Sequence, residues 1–258
     1  MDLDGSVLIV TGSATGLGAA VVQQAAAKGA RTVINYTKSE AEAHETLLAC
    51  LDHGGEAILC QGDVSVDADC RRLAAEAMGK WGRIDGLVNN AARSVFASSE
   101  DLESLSADQF LSIYSVNVVG AYQMTRAVLP SMKSQECGAI VNVSSISAIT
   151  GAGSSIAYAA SKGALNTMTV SLARVLAPRI RVNAVCPGPF PSRWWSEGLG
   201  DTGSKDFFDK YTAAVPMKAA ADAESVARTV LWLLEGADYV TGETIMVDSG
   251  MHLLGFRP

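Results

Sequence analysis

The sequence predicts a doubly wound parallel α/β sheet built as a single domain. Short apolar runs alternate with helix-length segments from residue 6 to about residue 250, the pattern of repeated strand–helix–strand units. A glycine-rich turn follows the first apolar run, and no internal repeat or linker divides the 258 residues. Hydrophobic residues make up 48% of the chain and charged residues 18%, so apolar material is sufficient to cover both faces of a sheet.

Charge and composition narrow the possible functions. The formal net charge of −7 argues against a nucleic acid or an anionic membrane surface as the partner. No apolar run reaches the length of a membrane span, and the start Met1-Asp-Leu-Asp lacks the basic residues of a signal peptide, so we expect a cytoplasmic protein. The five cysteines form no Cys-x-x-Cys pair and the three histidines lie far apart, so we expect reduced thiols and no metal site.

The first predicted strand leads into a glycine-rich turn. The apolar run Ser6–Thr11 is typical of a buried strand, and Ala19–Lys28 is predicted as a helix. Exposed amides at a helix N-terminus favour an anion, and glycines let the backbone approach a pyrophosphate. The alternative is a flexible glycine loop. The residues expected to contact a dinucleotide are Gly12, Ser13, Thr15, Gly16, Leu17 and Gly18.

The second predicted strand, Arg31–Tyr36, should end beside the adenosine ribose of such a dinucleotide. A carboxylate there would bind the 2′-hydroxyl of NAD and repel a 2′-phosphate, but the first acid in this segment is Glu40. Neutral donors and one lysine suit a 2′-phosphate, so NADP(H) is favoured and NAD(H) is the alternative. The alternative is that these residues form an ordinary polar loop before the predicted helix Glu40–Leu51 and contact no cofactor. The residues concerned are Asn35, Tyr36, Thr37, Lys38 and Ser39.

A serine, a tyrosine and a lysine form a candidate catalytic set. The strand Gly138–Val143 delivers Ser144 and Ser145 to the sheet edge where ligands bind in such folds. A helix from roughly residue 157 to 177 would place Tyr158 and Lys162 on one face, where the ammonium should lower the pKa of the phenol. Tyr158 could then exchange a proton at neutral pH, while Ser145 holds a substrate oxygen. The alternative is two half-exposed residues on an amphipathic helix.

The order and spacing of Ser145, Tyr158 and Lys162, with the turn TGxxxGxG at Thr11–Gly18, resemble the short-chain dehydrogenases/reductases (SDRs). The resemblance spans residues 6–250 and implies a Rossmann-type fold. It implies reversible hydride transfer between NADP(H) and a carbonyl or secondary alcohol, as in the 3-oxoacyl-carrier-protein reductases and carbonyl reductases. It also implies that Tyr158 donates the proton, Ser145 holds the substrate oxygen, and Lys162 both tunes Tyr158 and binds the nicotinamide ribose.

The same resemblance assigns residues along the cofactor cleft. Asn117, between two predicted helical stretches of residues 106–132, matches the family asparagine whose backbone holds a water beside the catalytic lysine. Asp63 and Val64 match a pair that contacts the adenine; the alternative is that Asp63 starts the helix from about Val66 to Trp81. The remaining implied cofactor contacts are Asn90, Ala91, Ala92, Pro187, Gly188, Phe190 and Ser192. Ala92 stands where the family usually has a glycine. Val185 and Phe190 are expected to pack on the nicotinamide ring.

Residues 188–220 match the position of the family's variable substrate lid. The segment is rich in aromatic residues, which suit an apolar substrate but equally a core edge or a subunit contact. These residues are Trp194, Trp195, Phe207, Phe208 and Tyr211. A helix from Asp222 to Glu235 and a last strand from Thr241 to Asp248 should complete the sheet.

Two other functions are compatible with a fold of this kind: a non-enzymatic dinucleotide-binding protein and an enzyme that epimerises or dehydrates its substrate. A non-enzymatic dinucleotide sensor or scaffold on the same fold would not need the phenol, so the intact Ser145, Tyr158 and Lys162 favour an enzyme. Family relatives that epimerise or dehydrate are usually longer and have a distinct C-terminal domain and a different glycine spacing. The resemblance further implies a small-molecule substrate and a homotetramer that uses the helices around residues 106–132 and 157–177.

Overall fold

One seven-stranded sheet forms the centre of the molecule. The computed structural model describes residues 1–254. The strands are β1 Val7–Val10, β2 Arg31–Tyr36, β3 Glu56–Gln61, β4 Gly86–Asn89, β5 Gly138–Val143, β6 Ile180–Pro187 and β7 Thr244–Val247. They lie in the order β3-β2-β1-β4-β5-β6-β7, and every neighbouring pair is parallel. The direction of winding reverses between β1 and β4, which opens a cleft at the carboxyl ends of these strands.

Helices cover both faces of the sheet. They are α1 Gly16–Ala26, α2 Glu40–Asp52, α3 Asp67–Trp81, α4 Ala107–Tyr114, α5 Ala121–Gln135, α6 Ser147–Thr150, α7 Ile156–Leu176, α8 Arg193–Ala214 and α9 Ala223–Glu235. Apolar side chains of α1, α2 and α9 pack on one face, and those of α3, α5 and α7 on the other. Because successive residues of a strand point to opposite faces, Leu8 and Val10 join the first core while Val7 and Ile9 join the second. The predicted fold is therefore confirmed.

Two segments differ from the sequence-based expectation. The region around Asn117 was predicted as a separator between two helices, but α4 and α5 are joined by a π-helical turn, Ser115–Gly120. The helix is therefore continuous, and one widened turn carries the asparagine. No helix was predicted in the lid segment, whereas α8 runs through it with a break at Gly200, where φ is 70° and ψ is 166°.

Residues 1–254 contain no helix long and apolar enough to cross a membrane. Within the same residues, no three His, Cys, Asp or Glu side chains are grouped closely enough to hold a metal ion. The last four residues of the predicted 1–258 domain lie outside the described part of the chain.

Candidate active site

The glycine-rich turn is packed tightly against the end of β4. Gly12 has φ +60°, and a Cβ on it would lie 2.9 Å from the Cα of Ala91. A Cβ on Gly18, in the first turn of α1, would lie 2.5 Å from the Gly12 carbonyl oxygen. The turn therefore has a fixed shape rather than that of a flexible loop. It places the N-terminus of α1, with Thr15 as the preceding residue, at the carboxyl edge of the sheet.

Ser13 and Asn35 hold this turn to its neighbours. The buried Ser13 Oγ donates to the Val10 carbonyl at 2.7 Å and accepts from the Asn35 amide at 3.0 Å. The Asn35 side chain accepts from Gly12 N at 3.0 Å and donates to the carbonyl oxygens of Cys60 and Gly62 at 3.2 and 3.0 Å. Both side chains are thus engaged in shaping the cleft, and their direct contact with a cofactor stays a prediction.

The loop after β2 offers polar groups at the surface. Tyr36 is buried, and this burial raises the pKa of its phenol. Thr37 and Lys38 are exposed, and Ser39 immediately precedes α2. Sequence reasoning did not select Arg193, which begins α8 and places its guanidinium 2.6 Å from Glu42 of α2. Because Arg193 directly follows Ser192, which was predicted to contact the cofactor, the sequence could have indicated that Arg193 lies near the cleft.

The predicted adenine pair supports the turn before α3. Asp63 Oδ1 accepts hydrogen bonds from the Ser65 amide at 2.8 Å and from the Ser65 hydroxyl at 2.7 Å. The N-cap of α3 is Val66, so Asp63 stabilises the preceding turn and does not itself cap the helix. Val64 is buried against the π turn, since a Cβ on Gly120 would lie 2.7 Å from its Cγ2.

The residues that follow β4 are tied to the glycine turn. The Asn90 side chain donates to the carbonyl oxygens of Thr11 and Gly12, each at 2.9 Å. The Ala91 amide donates to Thr11 Oγ1 at 3.0 Å. Ala92 is exposed and is not among the non-glycine residues with positive φ, so its methyl group causes no backbone strain.

Ser145, Tyr158 and Lys162 meet where β5 ends and α7 begins. Ser145 Oγ donates to Ser147 Oγ at 3.0 Å, which holds the hydroxyl at the cleft. Ser155 caps α7 through the Tyr158 amide at 3.2 Å and thereby fixes the first turn that carries the phenol. The Lys162 ammonium lies 5.6 Å from the centre of the Tyr158 ring. It donates to the Val143 carbonyl at 2.8 Å, so one of its three N–H groups is used by the protein.

The acid–base properties of this set differ from the prediction. Burial raises the pKa of Tyr158 to about 12, while hydrogen bonding to the Ser145 side chain acts in the opposite direction. Burial also lowers the pKa of Lys162 to about 8. The expectation that Lys162 lowers the phenol pKa is wrong for this structure, because the ammonium points to a backbone carbonyl and desolvation dominates. At neutral pH the phenol therefore keeps its proton.

Asn117 has a complete set of hydrogen bonds within the protein. Its side-chain amide donates to Ser161 Oγ at 2.9 Å and to the Arg93 carbonyl at 3.0 Å, and its oxygen accepts from the Arg93 amide at 2.7 Å. The residue thus joins α7 to the loop after β4. The role that the resemblance implies uses the backbone of Asn117 instead, and a π turn at this point is a common feature of functional sites.

A buried polar chain supports α7 from behind. Asn89 donates to Asn142 Oδ1 at 2.9 Å, and Asn142 donates to Thr169 Oγ1 at 2.8 Å. Thr169 in turn donates to the Leu165 carbonyl at 2.9 Å. Because the chain crosses from β4 through β5 to α7, it fixes the helix that carries Tyr158 and Lys162 relative to the sheet. The sequence-based reasoning did not select these residues.

The segment after β6 passes close to the end of β7. The Gly188 amide donates to the Val247 carbonyl at 2.9 Å, and a Cβ on Gly188 would lie 2.8 Å from the Asp248 Cα. Pro187 accepts from the Ile146 amide at 2.9 Å, so this segment is also joined to the loop that carries Ser145. Val185 is fully buried in the core cluster that α1, α2 and α9 cover, and Phe190 packs against the same cluster, so contact of either residue with a nicotinamide ring stays a prediction. Ser192 is the N-cap of α8.

Aromatic side chains from two segments converge on Tyr158. The centroid of the Trp194 ring lies 6.2 Å from that of Tyr158 and 4.6 Å from that of Phe96, which follows β4. Trp195 stacks on Phe207 with 4.4 Å between centroids, and Phe208 adjoins both. Tyr211 is buried and donates to the Asp248 carbonyl at 2.9 Å, so its hydroxyl holds α8 to the end of β7. Sequence reasoning missed Phe96, since it lies far from the other aromatic residues along the chain.

Comparisons with known proteins agree with this architecture. A family model described as "Enoyl-(Acyl carrier protein) reductase" matches residues 12–252. A crystal structure from Burkholderia xenovorans, assigned to the short-chain dehydrogenases/reductases, superposes with a TM-score of 0.89 at 34% identity, over 96% of this chain and 98% of that one. The chain belongs to the SDR family. It is an NAD(P)-dependent oxidoreductase, and the fold and enzyme class expected from the sequence are confirmed.

Two further SDR relatives illustrate the range of the family. A protein named as a ketoacyl reductase of the granaticin polyketide synthase from Streptomyces violaceoruber is 38% identical over 252 residues, which is 96% of each chain. The structure of an NAD+-bound xylitol dehydrogenase is 28% identical, with a TM-score of 0.88 over 97% of this chain and all of that one.

Proposed function

We propose that this SDR transfers a hydride between NADP(H) and a carbonyl or secondary alcohol, with Tyr158 as the proton donor in the reducing direction. The observation that carries the proposal is the meeting of Ser145, Tyr158 and Lys162 at the carboxyl edge of the sheet, beside the glycine-rich turn. A non-enzymatic sensor on this fold would have no use for a half-buried phenol at the cleft close to a buried ammonium.

The cleft fits a nicotinamide dinucleotide. Gly12 and Gly18 are required by packing against the protein itself, whereas a Cβ on Gly16 would meet no atom within 4 Å, so the backbone of the turn is open to a ligand at Gly16. The Gly12–Gly18 turn and the N-terminus of α1 would hold the pyrophosphate. When bound, the cofactor supplies or accepts the hydride, and the protein supplies position and proton transfer.

Each catalytic residue has a distinct task in this proposal. Tyr158, whose pKa is raised to about 12 by burial, is protonated at neutral pH and gives its proton to the oxygen that becomes an alcohol. Ser145, whose hydroxyl donates to Ser147 Oγ in the structure, would turn its O–H to the same oxygen and stabilise the developing charge there. Lys162 has two N–H groups left after its bond to Val143, and these would hold the nicotinamide ribose and the relay water next to the Asn117 backbone.

We also propose NADP(H) as the preferred cofactor. Thr37 and Lys38 are exposed at the end of β2 and could bind a 2′-phosphate through one hydroxyl and one ammonium group. The first carboxylate after β2 in the sequence is that of Glu40. Residues 188–220 are proposed as the substrate lid, since α8 begins at the cleft and carries the aromatic residues next to Tyr158.

The homotetramer is a further part of the proposal. Its support is apolar exposure on the outer faces of α4, α5, the π turn and α7: Leu111 is 67% exposed, Tyr122 47%, Val119 46% and Val170 46%. Light scattering should give a mass near four chains, and substitution of Leu111 and Tyr122 by glutamate should reduce it. A single-chain mass for the unmodified protein would contradict the proposal.

The direct test of the proposed function is Tyr158→Phe, which removes one oxygen atom. With NADPH and a panel of ketones, 3-oxoacyl thioesters and an enoyl thioester, we expect kcat to fall by about 10²–10⁴-fold, the usual contribution of a positioned acid. Cofactor binding, followed by fluorescence titration, should stay within about threefold, because the phenol oxygen is not part of the proposed pyrophosphate site. Turnover retained by this variant would remove Tyr158 from the mechanism.

A further inference from the structure

The lid places an aromatic wall beside the proposed proton donor. Trp194 is tilted by 35° to Tyr158 and by 39° to Phe96, so the three rings form one continuous apolar surface. Trp195 meets Trp194 edge-on at 4.9 Å and continues this surface along α8. Phe96, Trp194 and Trp195 are each only partly buried, so part of every side chain remains exposed to a bound molecule.

The position of this wall is fixed by close packing. A Cβ on Gly198 would lie 2.0 Å from Cε2 of Phe96, so the first half of α8 rests directly on the phenylalanine ring. The Ala97 amide donates to the Ser154 carbonyl at 2.8 Å, which ties the phenylalanine loop to the segment that precedes α7. The wall is thus built from two segments that are both attached close to Tyr158.

The polar side chains near the wall are largely engaged. The hydroxyl groups of Ser94 and Ser154 form a hydrogen bond to each other, and the proposed function assigns Ser145 to the substrate carbonyl oxygen. A sugar or polyol placed against the wall would lose hydrogen bonds to water and find few free partners, which is costly. A flat ring system would instead lose only weakly held water and form face-to-face and edge-to-face contacts with the aromatic rings of the wall.

We propose that the substrate carbonyl belongs to, or directly adjoins, a planar aromatic or polycyclic ring system, and that Trp194 determines this preference. The inference rests on the proposed function, because it assigns the substrate class of the Tyr158 site. In the reducing direction the carbonyl carbon receives the hydride of NADPH, which leaves as NADP⁺, and the carbonyl oxygen receives the proton of Tyr158.

The test compares two ketones that differ by one fused benzene ring. For wild type with NADPH, kcat/KM is measured for 2-tetralone, cyclohexanone and the ketose D-xylulose. We expect 2-tetralone to exceed cyclohexanone by about tenfold or more and D-xylulose to be the poorest substrate, since one aromatic contact corresponds to about a tenfold effect. In Trp194→Ala the tetralone-to-cyclohexanone ratio should fall by about tenfold, and Trp194→Phe should keep most of it.

Trp232→Ala is the matched control, because Trp232 is 43% exposed on α9, away from the aromatic wall. This variant should keep the wild-type ratio, and thermal melts of all variants show whether each is folded. If Trp194→Ala does not fold, Trp194→Leu takes its place, because leucine keeps an apolar side chain without an aromatic ring and should lower the ratio in the same way. An unchanged ratio in the folded Trp194→Ala or Trp194→Leu protein, or D-xylulose as the best wild-type substrate, would overturn the inference while leaving the proposed function standing.

If neither these ketones nor the thioesters of the wider panel are reduced, the proposed function fails and binding decides the inference. Calorimetry then measures the affinity of 2-tetralone for the NADP⁺-loaded wild type and for Trp194→Ala. A wild-type affinity higher by about tenfold would support the aromatic subsite independently of catalysis. Equal affinities, or no binding by the wild type, would overturn it.

Discussion

Replacing the buried Lys162 with methionine should change how the stability of this enzyme depends on pH. The side chain is 1% exposed, and burial lowers its pKa from the ordinary value of 10.5 to about 8. Below pH 8 the folded protein therefore holds an ammonium in a site that disfavours charge. As the pH rises above 8, the folded lysine loses its proton while the unfolded lysine keeps it, so this destabilisation is relieved up to about pH 10.5.

The size of the effect follows from the two pKa values. Between pH 7 and pH 9, about one pH unit lies above the pKa of the folded lysine, and one unit corresponds to about 1.36 kcal/mol. The lysine contribution to the free energy of unfolding should therefore rise by about 1 kcal/mol. The buried thiols act in the opposite direction. Burial raises the pKa of Cys50 to about 11 and those of Cys60 and Cys70 to about 12, so above pH 8 thiolate formation favours the unfolded chain.

The measurement is therefore a difference between two proteins. Urea unfolding of wild type and Lys162→Met at pH 7 and pH 9, in the presence of a reductant, isolates the lysine, because the cysteines are common to both. We expect the free energy of unfolding of wild type to rise by about 1 kcal/mol relative to that of the variant on going from pH 7 to pH 9. If the two proteins show the same pH dependence, the lysine is not held in a site that depresses its pKa, and the electrostatic description of the catalytic set would be wrong.

Two further predictions concern the cofactor cleft. Lys38→Ala should lower kcat/KM with NADPH by about tenfold and with NADH by less than about twofold, because only NADPH carries the 2′-phosphate. The two values are measured by varying each cofactor. An equal loss of kcat/KM with NADPH and NADH would argue against a contact between Lys38 and the phosphate. Gly18→Ala should lower the melting temperature and weaken cofactor binding, because its Cβ would lie 2.5 Å from the Gly12 carbonyl oxygen and 2.7 Å from Asn90 Nδ2. A Gly18→Ala protein that matches wild type in both assays would show that the turn can relax around a methyl group.

The parts of the fold that depend on local pattern could be read from the sequence. The strands β2 and β5 begin and end at the predicted residues, because each is a short segment rich in the apolar and β-branched residues that a buried strand needs. Tyr158 and Lys162 share a face of α7 because their spacing matches one helical turn. Such features need no knowledge of distant contacts.

Apart from the π turn and α8, the features that the sequence did not predict depend on contacts between distant segments. The sign of the Tyr158 pKa shift was wrong because it depends on how much protein surrounds the phenol, which spacing along a helix does not reveal. The aromatic wall includes Phe96 because the loop after β4 folds against α8, about a hundred positions further along the chain. Asn35 looked like a ligand-facing donor, but the fold surrounds its side chain with the backbone of Gly12, Cys60 and Gly62.

The same contacts explain why so many polar side chains are buried behind the site. A proton donor must be held within a fraction of an ångström of the reacting oxygen, and apolar packing alone positions a helix less specifically than directional hydrogen bonds. Asn142 fixes the middle of α7 through Thr169, and Asn117 fixes its first turns through Ser161. These bonds lie on opposite sides of Lys162 along the helix, so rotation or sliding of α7 would break at least one of them. We therefore regard Asn117 and Asn142 as positioning residues, whose loss would disturb the placement of Tyr158 and Lys162 before it affected the chemistry itself.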